Sequence, residues 1–206
     1  MLKIWGRVNS VNVKKAMWCV AELGLPHERI DAGMQYGVVN TPEYRKMNPN
    51  GLVPVIEDGG AIIWESNAIV RYLCARHGMG TLCPPELQRR ADMERWMDWQ
   101  QTTLNPAGRP AFMQWIRTPA DRRDPHVIAE SVAATEPLMA LLDQHLARQP
   151  FIAGDRLTMA DLPIACEVHR WIRLPQPRTE RTHLDRWYAA ILARPSSRGV
   201  LDIALT

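Results

Sequence analysis

Phenylalanine is scarce in this chain, with two residues in 206 against four tyrosines and eight tryptophans. Long apolar runs are missing as well. Stretches such as Ala61 to Trp64 fall far below the roughly 18 residues that a membrane-spanning helix needs, so no membrane partner is expected. The first five residues, Met-Leu-Lys-Ile-Trp, lack the charged-then-apolar build of a secretory signal. Strong charge of one sign is absent too. Lys and Arg total 25 against 22 Asp and Glu, and a scattered excess of +3 does not make a nucleic-acid-binding surface. Cys19, Cys74, Cys83 and Cys166 form neither a CxxC pair nor a zinc-ligand spacing, and His77 and His169 have no partner at metal-ligand spacing. No metal site is therefore expected. What remains is ordinary globular composition, 46% hydrophobic and 23% charged, with reduced cysteines and a cytoplasmic location as the expectation.

The organisation changes part-way along the chain. Leu2 to Trp5 reads as a short strand. From Val13, the apolar positions Val13, Ala16, Met17, Val20 and Leu23 recur at helical spacing, and Gly24 stops the helix. His27 to Ala32 suits a second strand. Thr41-Pro42-Glu43 opens a helix, with Thr41 as N-cap and Pro42 in the first turn. Two short apolar runs around Asp58-Gly59-Gly60 predict a β-hairpin, and Ala68, Ile69, Tyr72 and Leu73 carry a helical stripe ending near Gly78. The order is β-α-β-α-β-β-α. Residues 78 to 85 are rich in Gly and Pro and read as a linker, in which Cys83 is expected to be exposed. Beyond it only helices are expected: 86 to 105, broken or kinked by Pro106 and Pro110, then Val127 to Leu146, a helix opened by a Thr158–Asp161 capping box, and one from His183 to Ala193. The class is α/β plus all-α, with domains at 1–79 and 86–206.

Four features can carry chemistry. Asn9-Ser10-Val11-Asn12 leads into the first helix, whose unpaired N–H groups favour an anion, a thiolate included; Asn12 as a plain helix cap explains it equally. Lys14 and Lys15 strengthen the preference if they point inward. Val53-Pro54 opens a strand where proline cannot donate a ladder bond. Either it is an edge-strand proline, or a cis bond turns the Val53 main chain outward to pair with an extended peptide. Glu65-Ser66 starts the next helix, Ser66 as N-cap, and suits the zwitterionic head of an amino acid. Trp96, Trp99, Phe112, Met113, Trp115 and Trp171 can line an apolar pocket or simply fill a core, whereas Trp18, Trp64 and Trp187 read as structural.

Asn48-Pro49-Asn50-Gly51-Leu52-Val53-Pro54, followed by Trp64-Glu65-Ser66-Asn67-Ala68-Ile69-Val70-Arg71-Tyr72-Leu73, resembles the glutathione-binding half of cytosolic glutathione transferases of bacterial, nu- or theta-like type. Phe151 to Asp155 and Leu157 to Asp161 resemble the folding motif of that family's helical half. The resemblance implies a thioredoxin-like domain, then a helical domain that contributes the hydrophobic substrate pocket, a homodimer, and glutathione as cosubstrate with no metal. It implies that the Val53 main chain pairs with the cysteinyl unit, that Pro54 is cis, and that Glu65 and Ser66 hold the γ-glutamyl group. No Tyr or Cys occupies residues 6 to 13, which disfavours those two catalytic types. Ser10-Val11-Asn12 is similar to the Thr-Pro-Asn of the nu class, and Ser10 to the serine of theta-like classes. Ser10 and Asn12 are thus the expected donors to the sulfur.

The leading expectation is conjugation of the glutathione thiolate to a small hydrophobic electrophile. Glutathione-dependent disulfide or peroxide reduction, and a non-catalytic carrier, stand as alternatives. An isomerase role is weaker, because the Ser-Ser-Cys signature of maleylacetoacetate isomerase-like members is missing.

Overall fold

The computed structural model describes residues 1–206, which divide into two compact units: Met1–Pro85 with Ser196–Ile203, and Glu86–Pro195 with Ala204–Thr206.

The first unit is built on a four-stranded sheet in the order β2-β1-β3-β4, from β1 (Leu2–Trp5), β2 (His27–Ile30), β3 (Val55–Asp58) and β4 (Ala61–Trp64). β1 runs parallel to β2 and antiparallel to β3, and β3 and β4 form the expected hairpin. Strand alternation assigns the two faces. Trp5 pairs with Val55, and this face meets α2 (Pro42–Met47) through a cluster of Ala32, Tyr44, Val55, Met47 and Val53. Ile4 and Ile56, also paired and fully buried, occupy the opposite face, with α1 (Val11–Glu22) and α3 (Ser66–His77) as the remaining helices of the layer. This is the thioredoxin-like arrangement.

Contacts at two levels fix how α1 and α3 run. Ser66 Oγ lies 3.3 Å from Asn12 Oδ1, and Cys74 Sγ lies 3.5 Å from Cys19 Sγ. From Asn12 to Cys19 the helix rises ~10 Å, and from Ser66 to Cys74 ~12 Å. The helices therefore lie side by side and parallel, with their N-termini at the same end. α1 also packs tightly on the loop before it: a Cβ at Gly6 would lie 2.4 Å from Val13 Cγ2.

The segment Ser196–Ile203 folds onto α1. Ser196 Oγ accepts from Trp18 Nε1 at 3.2 Å and bonds Glu22, while the Ile203 carbonyl accepts from Lys14 Nζ at 3.0 Å.

The second unit is helical: α4 (Leu87–Trp99), α5 (Asn105–Phe112), α6 (Pro125–Leu146), α7 (Asp161–Ile172) and α8 (Thr182–Leu192). Pro106 and Pro110 do not break the chain's helical course. Wider, π-type turns at Gln100–Leu104 and Met113–Arg117 flank α5, and the Asn105 N–H reaches back to the Gln100 carbonyl. The first of these turns shifts the hydrogen-bond ladder just ahead of Pro106, at the start of α5, whereas Pro110 stands inside α5 itself. α6 likewise continues through Pro137. Asp161 is fully buried at the start of α7. Its carboxylate accepts from the N–H groups of Ile152 and Thr158, the Thr158 hydroxyl and Trp187 Nε1, all between 2.8 and 3.1 Å. Burial pushes the Asp161 carboxyl up, and these donors pull it back. Cys83 is buried, contrary to the expectation for the linker, and Trp64, read as structural, keeps 38% of its surface exposed.

Candidate active site

Strand register gathers the site at one edge of the sheet. Val55 pairs with both Trp5 and Trp64, so the end of β1, the start of β3 and the end of β4 lie level with one another. The segments that continue from them, 6–10, 53–54 and 65–66, leave at that common edge. All six residues singled out in the sequence stand on or beside these segments.

Ser10 is the N-cap of α1, with extended backbone angles and its carbonyl accepting the Lys14 N–H at 2.8 Å. The residue is 93% buried and its side chain makes no capping bond, which leaves the hydroxyl available as a donor. Asn12 is not the cap. It is the second residue of α1, and its carbonyl oxygen accepts from the Ser66 hydroxyl. Ser66 is not a cap either: Glu65 is the N-cap of α3, its carbonyl accepting the Ile69 N–H at 2.9 Å, and Ser66 is the first helical residue. Glu65 sits at φ 70°, in the left-handed region that disfavours residues other than glycine. The first turns of α1 and α3 carry no acidic residue. Two helix N-termini, each with partial positive charge and unpaired N–H groups, thus meet at the Asn12–Ser66 contact. Lys14 and Lys15 are both buried, and Lys14 Nζ donates to the Ile203 carbonyl at 3.0 Å, which commits it to the C-terminal strap and not to an anion at the start of α1.

The Val53–Pro54 peptide bond is cis. Val53 precedes the ladder, which begins at Val55, and its side chain packs with Tyr44. The preceding turn is held from α2. Asn48 Oδ1 accepts from the Asn50 N–H at 3.0 Å, and the Asn48 carbonyl accepts from the Gly51 N–H at 3.0 Å. Tyr44 and Asn48 also both reach the Leu52 carbonyl. Reading the sequence passed over Tyr44 and treated Asn48 only as a turn former; a tyrosine four residues before the Asn-Pro-Asn-Gly turn was the available signal.

The four cysteines are buried and none forms a disulfide. The hydrogen bond to Cys74, followed by burial, pushes the Cys19 thiol well above its ordinary value, so it is no candidate nucleophile.

Residues 1–75 match the model of the glutathione S-transferase N-terminal domain, and residues 125–190 that of the C-terminal domain. Glutathione S-transferase GstB of Escherichia coli K12 is 41% identical over the full length of both chains. The chain belongs to the glutathione S-transferase family. Among solved structures, the theta-class glutathione S-transferase of Xanthomonas axonopodis pv. citri with glutathione bound superposes with a TM-score of 0.95 at 43% identity, covering 100% of this chain and 99% of that one. Glutathione S-transferase 3 of Zea mays is 29% identical, over 95% of this chain and 90% of its own.

In the helical unit of this glutathione S-transferase the aromatic residues divide. Trp171 is buried and donates to Glu136 at 3.0 Å, and Trp96 meets Trp99 edge-on at 5.3 Å and tilts against His145 at 4.4 Å. Phe112, Met113 and Trp115 keep partial exposure around the second π-type turn, with the Arg170 guanidinium 5.0 Å from the Phe112 ring.

Proposed function

We propose that this enzyme conjugates glutathione to small hydrophobic electrophiles, with the sulfur held as a thiolate by Ser10 and Asn12. The observation that carries the reading is the hydroxyl of Ser10, a largely buried residue, uncommitted to helix capping at the edge where two helix N-termini and the Val53 main chain converge. Glutathione is an extended tripeptide. The Val53 N–H and C=O suit its cysteinyl unit as an added strand would, and the N–H groups opening α3 suit the γ-glutamyl carboxylate. The Glu65 carboxylate takes the amino group. The Ser66 hydroxyl and Asn12 Oδ1 already face each other, which leaves the Asn12 amide N–H groups for the sulfur side.

Each hydrogen bond to a charged acceptor contributes roughly 1.5–3 kcal/mol, or about one to two pKa units of the bound thiol. Two such donors with the α1 dipole keep much of the thiol ionised near neutral pH. We assign 1–79 to glutathione binding and 86–206 to the hydrophobic part of the substrate site, with Phe112, Met113 and Trp115 as its exposed apolar surface. A homodimer in the cytoplasm is part of the same reading, and no metal takes part.

Ser10→Ala and Asn12→Ala test it. Each is expected to lower kcat/KM with an activated aryl halide about 10- to 100-fold and to shift the pH profile alkaline, at nearly constant glutathione affinity. Unchanged turnover in both variants removes the assigned roles. Turnover of hydroperoxides or small disulfides without conjugation replaces the reading by reduction, and binding without any turnover replaces it by a carrier.

A further inference from the structure

The proposed glutathione contact at Val53 is a main-chain contact, so no side chain at that position sets its direction. The Leu52 carbonyl does. The Leu52–Val53 peptide is trans, the only cis bond being the one that follows, so the Leu52 C=O and the Val53 N–H belong to one rigid plane and point in opposite directions. Whatever fixes the oxygen aims the N–H. Two buried donors fix it: the Tyr44 hydroxyl at 2.8 Å and Asn48 Nδ2 at 2.9 Å. Tyr44 is 1% exposed and Asn48 2%, and together they fill both lone pairs of that oxygen.

We infer that Tyr44 and Asn48 are positioning residues for glutathione, aiming the Val53 N–H through the peptide plane they clamp at Leu52. This rests on the reading that the Val53 main chain pairs with the cysteinyl unit.

The clamp is built with redundancy at its base. The Tyr44 ring is packed among Ala32, Val55, Met47 and Val53, so its hydroxyl has little freedom to leave the Leu52 oxygen. The Asn48 N–H donates to the Tyr44 carbonyl at 2.9 Å, which locks the two donors to the same helical turn. Leu52 itself keeps 63% of its surface exposed, so its side chain contributes little to holding the plane. Burial pushes the Tyr44 hydroxyl up to about 12, so it remains a donor through neutral and mildly alkaline pH.

Tyr44→Phe in the full-length enzyme is the test, because it removes the hydroxyl and keeps the packed ring. Tyr72→Phe is the control: it deletes a hydroxyl of the same unit that donates to Asp58 at 3.0 Å, away from Val53. Tyr44→Phe is expected to raise the glutathione KM about 3- to 10-fold, with kcat at saturating glutathione and the KM for the electrophile within twofold of the parent. Tyr72→Phe is expected to leave all three unchanged. Amide hydrogen exchange supplies a second readout. Bound glutathione is expected to slow exchange of the Val53 N–H in the parent and to slow it less in Tyr44→Phe, while its effect on the Ser66 N–H is the same in both. If glutathione leaves the Val53 N–H of the parent unprotected, the pairing at Val53 fails and the inference with it. If protection is present and equal in the parent and Tyr44→Phe, only the positioning role is overturned, whatever the KM.

Discussion

At residue scale, Glu65 shows most clearly where stability and function part. A residue other than glycine at φ 70° carries strain of order 1–3 kcal/mol, and nothing local offsets it: the side chain neither caps α3 nor packs in a core. Strain of this kind persists where the backbone must present a particular group. Glu65→Gly is therefore expected to leave the thermal midpoint unchanged or raised, while glutathione affinity measured by calorimetry falls tenfold or more. Unchanged affinity would falsify the assignment of the carboxylate to the γ-glutamyl amino group. The identity of such residues was legible in the sequence, because Trp-Glu-Ser after a hairpin is a chemical pattern. Their backbone roles were not. Capping depends on φ and ψ, and the sequence reading placed the cap at Ser66 and Asn12, where the fold uses Glu65 and Ser10.

At the scale of elements, the Thr158–Asp161 pair does more than start α7. One carboxylate joins the 150s loop, the helix start and the indole of α8, collecting four donors in a buried setting. Asp161→Ala leaves those donors without an acceptor and is expected to destabilise the helical unit by about 3–5 kcal/mol, read as a fall in the denaturation midpoint of that unit. Asp161→Asn keeps one oxygen but turns an amide toward N–H groups, and is expected to recover only part of the loss. A midpoint within error of the parent for Asp161→Ala would show that the network contributes nothing net. The pairing of Thr158 with Asp161 was readable because the two residues are three apart, but Ala160, not Thr158, is the N-cap and Asp161 is the first residue of α7. The reach to Ile152 and Trp187 was not, since it depends on how α7 and α8 pack. Of the break or kink expected at Pro106 and Pro110, the break does not occur: proline's missing N–H is visible in a sequence, but the wider turn ahead of Pro106 is not.

At the scale of the whole molecule, the alternation of short strands and helices before residue 80, and helices alone after it, was enough to give both architectures. The oligomeric state needs other grounds. The first unit leaves Met34, Leu52, Ile62 and Trp64 between 38% and 63% exposed, apolar surface that association would cover. Sedimentation velocity at micromolar concentration is expected to show one species of twice the 23.5 kDa chain mass. A single 23.5 kDa species at all concentrations removes the homodimer.

The strap of Ser196–Ile203 across α1 has a consequence for how the protein is made. The part of the chain made before the helical unit, up to Pro85, contains every strand of the sheet and every residue assigned to glutathione, yet it lacks the segment Ser196–Ile203 of its own unit. Trp18, Glu22 and Lys14 wait for Ser196 and Ile203, which are synthesised only after the entire helical unit. Completion of the first unit is thereby tied to synthesis of the segment that follows the helical unit: a chain cut short anywhere in the helical unit leaves the helix that carries Ser10 and Asn12 without its outer support.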